Sequence, residues 1–131
     1  MREIKFRAWD YESRKMISFA TLAPRIHEAI YRWDKDDNAT SLEVMQYTGL
    51  RDKNGNEIYE GDIVCWVTDV IVEQIEGHNR YEPEGFIGLV EFENGSFYVK
   101  GKDFYSYGEQ MFLWSELEII GNIYENPELL S

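Results

Sequence analysis

Apolar and basic side chains alternate at period two from Ile4 to Trp9, Ile-Lys-Phe-Arg-Ala-Trp, which is the pattern of a strand with one buried face. Asp10-Tyr-Glu-Ser-Arg follows as a turn, and Lys15-Met-Ile-Ser-Phe returns as a second strand, so the chain opens with a β-hairpin. The period changes after Pro24. Ile26, Ala29, Ile30 and Trp33 fall at i, i+3, i+4 and i+7, the stripe of a short amphipathic helix whose first turn suits Pro24. A polar loop, Asp34 to Ser41, separates this helix from the next strand.

Leu42 to Thr48 reads as that strand. Asn54-Gly55 then marks a turn, because both residues tolerate positive φ, and Glu60-Gly61-Asp62 marks a second. Ile63 to Val72 is almost continuously apolar, which predicts a long strand buried on both faces or central in a sheet. Glu73 to Gly85 is polar and reads as an exposed excursion between strands, able to lengthen a hairpin. Phe86 to Glu93 and Ser96 to Lys100 flank Asn94-Gly95 and make the clearest hairpin in the chain. Leu117 to Tyr124 supplies a last strand with Gly121 as a bulge, and Asn126-Pro127 ends it. The predicted fold is mainly β: a small SH3-like barrel or a strongly twisted antiparallel sheet, with an N-terminal β-hairpin and one short helix. Residues 1–131 are read as one domain, with the hairpin and helix in 1–41 and a β core in 42–131.

The 131 residues suit one core, and a hydrophobic fraction of 44% with 7 Phe, 9 Tyr and 4 Trp supplies it. The longest apolar runs fall well short of the roughly 18 to 20 residues that cross a bilayer, and the first residues lack the apolar stretch of a secretory signal. A cytoplasmic location and no membrane association are therefore expected. The net charge of -12 opposes a phosphate backbone, so direct nucleic-acid binding is not expected. The charge is uneven, the first 35 residues being basic and the remainder strongly acidic. From Asp103 onward the chain has acids but neither Lys nor Arg. Beyond solubility, such a face can meet a basic partner: the N-terminal segment of a neighbouring subunit, or a nucleic-acid-binding protein whose DNA it imitates.

Chemical motifs are sparse. Cys65 lies in the apolar run Ile63-Val64-Cys65-Trp66-Val67 with no base nearby in sequence, which predicts a structural thiol. His27 and His78 have no partners at metal-ligand spacing. Asp52-Lys-Asn-Gly-Asn resembles the start of a calcium loop, but Glu57 stands where the sharp turn needs Gly and Ile63 where a bidentate Glu belongs. Glu57, Glu60 and Asp62 are close enough for acid–base work, yet with 25 acids in the chain such proximity arises by chance. No catalytic residue, cofactor or metal is assigned. In the middle of the chain Asp52 suits a turn cap, Gly49, Gly55 and Gly61 suit strained backbone angles, and Tyr47 and Tyr59 suit packing. The same stretch offers an interaction surface with Tyr47, Asp52, Tyr59 and Asp62 as its candidate residues.

Three stretches together resemble the YopX family of phage and prophage proteins: Ile4-Lys-Phe-Arg-Ala-Trp-Asp10, Met45-Gln-Tyr-Thr-Gly-Leu-Arg-Asp-Lys-Asn-Gly-Asn-Glu-Ile-Tyr-Glu-Gly-Asp-Ile-Val64 and Ile119-Ile-Gly-Asn-Ile-Tyr-Glu-Asn-Pro-Glu-Leu-Leu130. The resemblance implies a small phage-encoded protein of the host cytoplasm that forms oligomers, and it brings no catalytic residues with it. Residues 19–41 and 71–86 match no pattern of that family. The leading expectation is a noncatalytic protein-binding or assembly module, a homo-oligomer with a host or phage protein as a further partner. The alternatives are an acidic DNA mimic that inhibits a host nucleic-acid-binding protein and, third, a small hydrolase.

Overall fold

A computed structural model describes residues 3–25, 42–101 and 113–131. The helix predicted over Ile26–Trp33 and the polar loop behind it lie outside these residues. The chain forms two compact units, residues 1–49 and 50–131.

In the first unit, β1 (Phe6–Asp10) and β2 (Lys15–Ile17) form the predicted hairpin, with Trp9 opposite Met16. Asp10 closes its turn twice: its carbonyl accepts from the Arg14 N–H at 2.7 Å, and its carboxylate accepts from the Glu12 N–H at 2.9 Å. A single helical turn, α1 (Phe19–Leu22), follows and continues into a 3-10 turn, Ala23–Arg25. β3 (Leu42–Arg51) pairs antiparallel with the other side of β1, Ala8 lying opposite Val44. Ala8, Trp9, Leu22, Met45 and Tyr47 are buried. Ala8 and Trp9 are adjacent and so point to opposite faces, which means that β1 is covered on both faces rather than on one.

β3 crosses into the second unit, where β4 (Glu57–Tyr59) pairs with it. The rest of this unit is an antiparallel half-barrel of four strands: β5 (Asp62–Ile75), β6 (His78–Glu93), β7 (Ser96–Gly101) and β8 (Glu118–Asn122), in the order β7-β6-β5-β8. Mainly β architecture with an N-terminal hairpin is thus as the sequence predicts, whereas the short helix among the described residues, α1, lies ahead of the stretch where the sequence places one. Among the described residues the sheet stays open, with β7 and β8 at its edges.

The core of the half-barrel is Ile58, Val64, Trp66, Val90, Val99 and Leu117, with Phe86, Trp114 and Ile119 packed against it. Trp66 and Phe86 stack with ring centroids 5.7 Å apart. Each large apolar side chain buried in this way contributes roughly 1.5 to 3 kcal/mol. Asn94 and Gly95 turn the β6–β7 hairpin with φ of 53° and 83°, the primed geometry that their sequence announces. Where β8 meets β5, Ile63 faces Gly121 but Val64 faces Ile119, so Ile120 is the extra residue of a bulge. Gly121 is required there. A Cβ on it would lie 2.5 Å from Asn126 Oδ1, the atom that accepts the Asn122 N–H.

β5 departs from its prediction. It is buried only from Asp62 to Trp66, apart from the half-buried Cys65, and becomes exposed at Val67. The expected polar excursion is not a loop either: β5 and β6 stay in register to Ile75 opposite His78, around a turn at Glu76-Gly77. Among the described residues, no helix is long and apolar enough to cross a membrane.

Candidate functional site

Two features of the second unit bear on function: the Asp52–Asp62 stretch and the outer part of the β5–β6 hairpin. In the first, Asp52 is almost wholly buried. Its Oδ1 accepts the Asn54 and Asn56 N–H groups, both at 2.9 Å, and its Oδ2 accepts the Ile119 N–H at 3.0 Å. The neighbouring Lys53 N–H donates to the Leu117 carbonyl at 2.9 Å, so the β3–β4 turn is tied to the start of β8. Burial pushes the Asp52 carboxyl upward, but the N–H groups of Ile119, Asn56 and Asn54 outweigh it and hold the group below the ordinary aspartate value.

Asp62 sits at the head of β5, 2% exposed, and its Oδ2 accepts the Tyr59 N–H at 2.8 Å. Gly61, at φ 89° in the turn before β5, ties that turn to β6 and to the end of β8: its N–H donates to the Val90 carbonyl and its carbonyl accepts from the Ile123 N–H, each at 2.8 Å. Tyr59 and Asp62 therefore meet, whereas Tyr47 lies in the first unit. All four residues singled out from the sequence are buried. The two carboxylates serve backbone amides of their own chain.

Cys65 is half-buried, and its thiol faces Glu118 Oε2 at 3.9 Å. Burial and the Glu118 charge raise its pKa, and Lys53, 3.1 Å from the same carboxylate, offsets part of that rise. Its thiolate is disfavoured, in keeping with a structural thiol. On the β6–β7 hairpin the Tyr98 hydroxyl lies 2.5 Å from Glu91 Oε2 and 2.8 Å from Glu93 Oε2. Hydrogen bonds to these carboxylates hold the phenol well above its usual range. Among the described residues no group of three or more His, Cys, Asp and Glu is placed to hold a metal ion.

The second feature is a projecting two-stranded arm, Val67–Gly85. β8 pairs with β5 only over Asp62–Cys65, and β7 with β6 only over Gly88–Glu93, so beyond these points β5 and β6 have only each other among the described strands. Directly opposed residues of an antiparallel pair point to the same face, and faces alternate along each strand. The face that carries the buried Trp66 and the half-buried Phe86 continues outward as Thr68–Glu84, Val70–Glu82 and, past a bulge at Val72, Glu73–Arg80. Arg80 bridges Glu73 at 3.2 Å and Glu82 at 2.9 Å there. The opposite face carries Val67–Gly85, Asp69–Pro83 and Ile71–Tyr81. Polarity is thus largely inverted relative to the core: apart from Val70 the inward-continuing face is polar and charged and cannot be buried cheaply, while Val67, Ile71 and Tyr81 point the other way, beside Asp69. Val67 is 66% exposed, Tyr81 55% and Ile71 47%. The β-branched run Val67–Val72 is the sequence signal for this arm, read there as buried strand.

Comparison with solved structures finds likeness to the crystal structure of protein EF1440 from Enterococcus faecalis. It is 24% identical, covers 100% of each chain and has a TM-score of 0.59, a likeness of fold. No curated protein matches. The family model described as YopX protein matches residues 5–131, nearly the whole chain and including both the Asp52–Asp62 stretch and the arm, and the chain therefore belongs to the YopX family.

Proposed function

We propose that the chain is a noncatalytic protein-binding or assembly module whose contact element is the β5–β6 arm. The observation that carries this reading is the arm's uncovered apolar face. Val67, Ile71 and Tyr81 share one face of a ribbon that no other described strand flanks, and exposed apolar surface marks contact sites. An isolated two-stranded hairpin is at best marginally stable in water, so a ribbon of this length gains from a partner. Asp52, Tyr59 and Asp62 support the contact indirectly, as the framework around the base of β5, while Tyr47 belongs to the first unit. The setting implied by the family resemblance is a phage-encoded protein in the host cytoplasm.

Replacing residues 68–84 with a two-residue Asn-Gly turn tests the reading. Val67 and Gly85 are already paired, so the shortened hairpin closes without disturbing the Trp66–Phe86 stack. The shortened chain is expected to keep a β-type circular dichroism spectrum, lower by the strand residues removed, and a cooperative melt. Light scattering and cross-linking are expected to detect self-association, or capture of a phage or host protein, for the full chain and not for the shortened one. Undiminished association without the arm would refute the reading.

A further inference from the structure

We infer that the outer edge of β5, Thr68–Val72, pairs antiparallel with the same segment of a second copy of this chain, across a twofold axis at Val70. The inference rests on the reading of the arm as a protein-contact element, and it specifies the edge and the partner.

The arm has two outer edges, and their chemistry differs. The β6 edge reads Arg80-Tyr81-Glu82-Pro83-Glu84-Gly85. It carries a charged residue at every second position, Arg80, Glu82 and Glu84, and a proline without an N–H, the devices by which natural sheets protect an edge from strand addition. The β5 edge reads Val67-Thr68-Asp69-Val70-Ile71-Val72, β-branched at every position except Asp69, and has no proline. Such an edge is a template for strand pairing.

Charge selects a second copy through β5 and sets the register. An antiparallel pairing centred on Val70 places Asp69 opposite Ile71 and Thr68 opposite Val72 of the other copy, so acid never faces acid. The equivalent pairing of two β6 edges centred on Pro83 would set Glu82 against Glu84, and directly opposed like charges destabilise a sheet. Parity is also preserved: Asp69 and Ile71 share a face of the arm, so the Val67, Ile71 and Tyr81 side chains of both copies extend one continuous face. The product is a four-stranded sheet, β6-β5 joined to β5-β6 of the second copy. Three or more strands with an apolar face meet the requirement for stability that two alone do not. A twofold contact also closes on itself, whereas β5-to-β6 pairing between copies would leave a free edge at each end and grow into a fibre. The bulge at Val72 re-aims the edge there and limits the paired segment to a few residues, so the association depends on concentration.

The test uses the full chain with Cys65→Ser as background. Val70→Cys, at the twofold axis, is expected to form disulfide-linked dimers on mild oxidation, whereas Glu82→Cys, on the β6 edge, is not. Separately, Val70→Lys sets two ammonium groups against each other and should weaken dimerisation at least tenfold in sedimentation equilibrium, with an unchanged circular dichroism spectrum. Equal cross-linking from the two cysteine positions would overturn the inference. Self-association that is indifferent to Val70→Lys but lost on shortening the arm would overturn it too, while leaving the broader reading of the arm intact. A chain that stays monomeric at high micromolar concentration would rule out the second copy, and arm-dependent capture of another protein would then be the surviving form of the proposed function.

Discussion

Asp52 shows how much one buried carboxylate does in this fold. It satisfies three backbone N–H groups, two inside its own turn and one on Ile119, sixty-seven residues further along the chain. Asp52→Ala removes the acceptor and leaves those donors behind; each buried donor without a partner costs about 1 to 3 kcal/mol. Two of the donors lie in the turn near water, so a loss of about 2 to 3 kcal/mol in urea unfolding is expected. The pH dependence follows from the same contacts. A folded-state pKa below the unfolded value means that the ionised form stabilises the fold: the contribution is complete above about pH 4 and is lost as pH falls through the lower folded value. Asp52→Asn should flatten the acid limb of stability below about pH 4, and an acid limb identical to that of the unsubstituted chain would contradict this account.

At the scale of elements, β5 behaves as two strands in one. Its first residues sit between β6 and β8 and feed the buried core, and its outer residues belong to the arm. Local stability should divide at the same point, because opening free energy follows buried apolar contact and the protection of backbone hydrogen bonds. Amide exchange is expected to be slowest at Ile63–Trp66 and Leu89–Val90 and much faster from Val67 to Gly85. Self-pairing through β5 adds a concentration dependence: exchange at Thr68–Val72 slows as protein concentration rises, and exchange at Arg80–Glu84 changes little. Uniform protection along the whole hairpin would show that the arm is not a separate element.

For the whole molecule, the net charge of -12 decides how association responds to salt. Two copies repel each other at long range, while the contact inferred at β5 consists of backbone hydrogen bonds and aliphatic side chains. Salt shortens the Debye length from about 30 Å at 0.01 M to about 3 Å at 1 M, removing the repulsion and leaving the contact. Light scattering should therefore show stronger self-association as salt rises. A partner chosen by charge, either the basic N-terminal segment of a neighbouring subunit or a DNA-binding protein recognising an acidic mimic, gives the opposite trend, with loosening as salt rises. A salt titration thus separates the apolar contact from both electrostatic ones.

Much of this protein was legible in its sequence because the signals were local. Period-two alternation marked β1, Asn94-Gly95 fixed the β6–β7 turn through its positive φ, and the Asp52-Lys-Asn-Gly stretch announced a turn capped by its own carboxylate. Three blocks spread along the chain carried the family resemblance. Long-range relations were not legible. That Asp52 also holds Ile119, and that Gly88 must be glycine because a Cβ would meet Val99 Cγ1 at 2.5 Å, depend on strands far apart in the chain coming together. The burial of Val67 to Val72 was misread for the same reason. An apolar run announces a strand, but whether its side chains are covered depends on how far the neighbouring strands extend, and β8 stops pairing at Cys65. Hydropathy is a property of each residue and is written in the sequence, whereas burial is a property of neighbours, which only the tertiary structure decides.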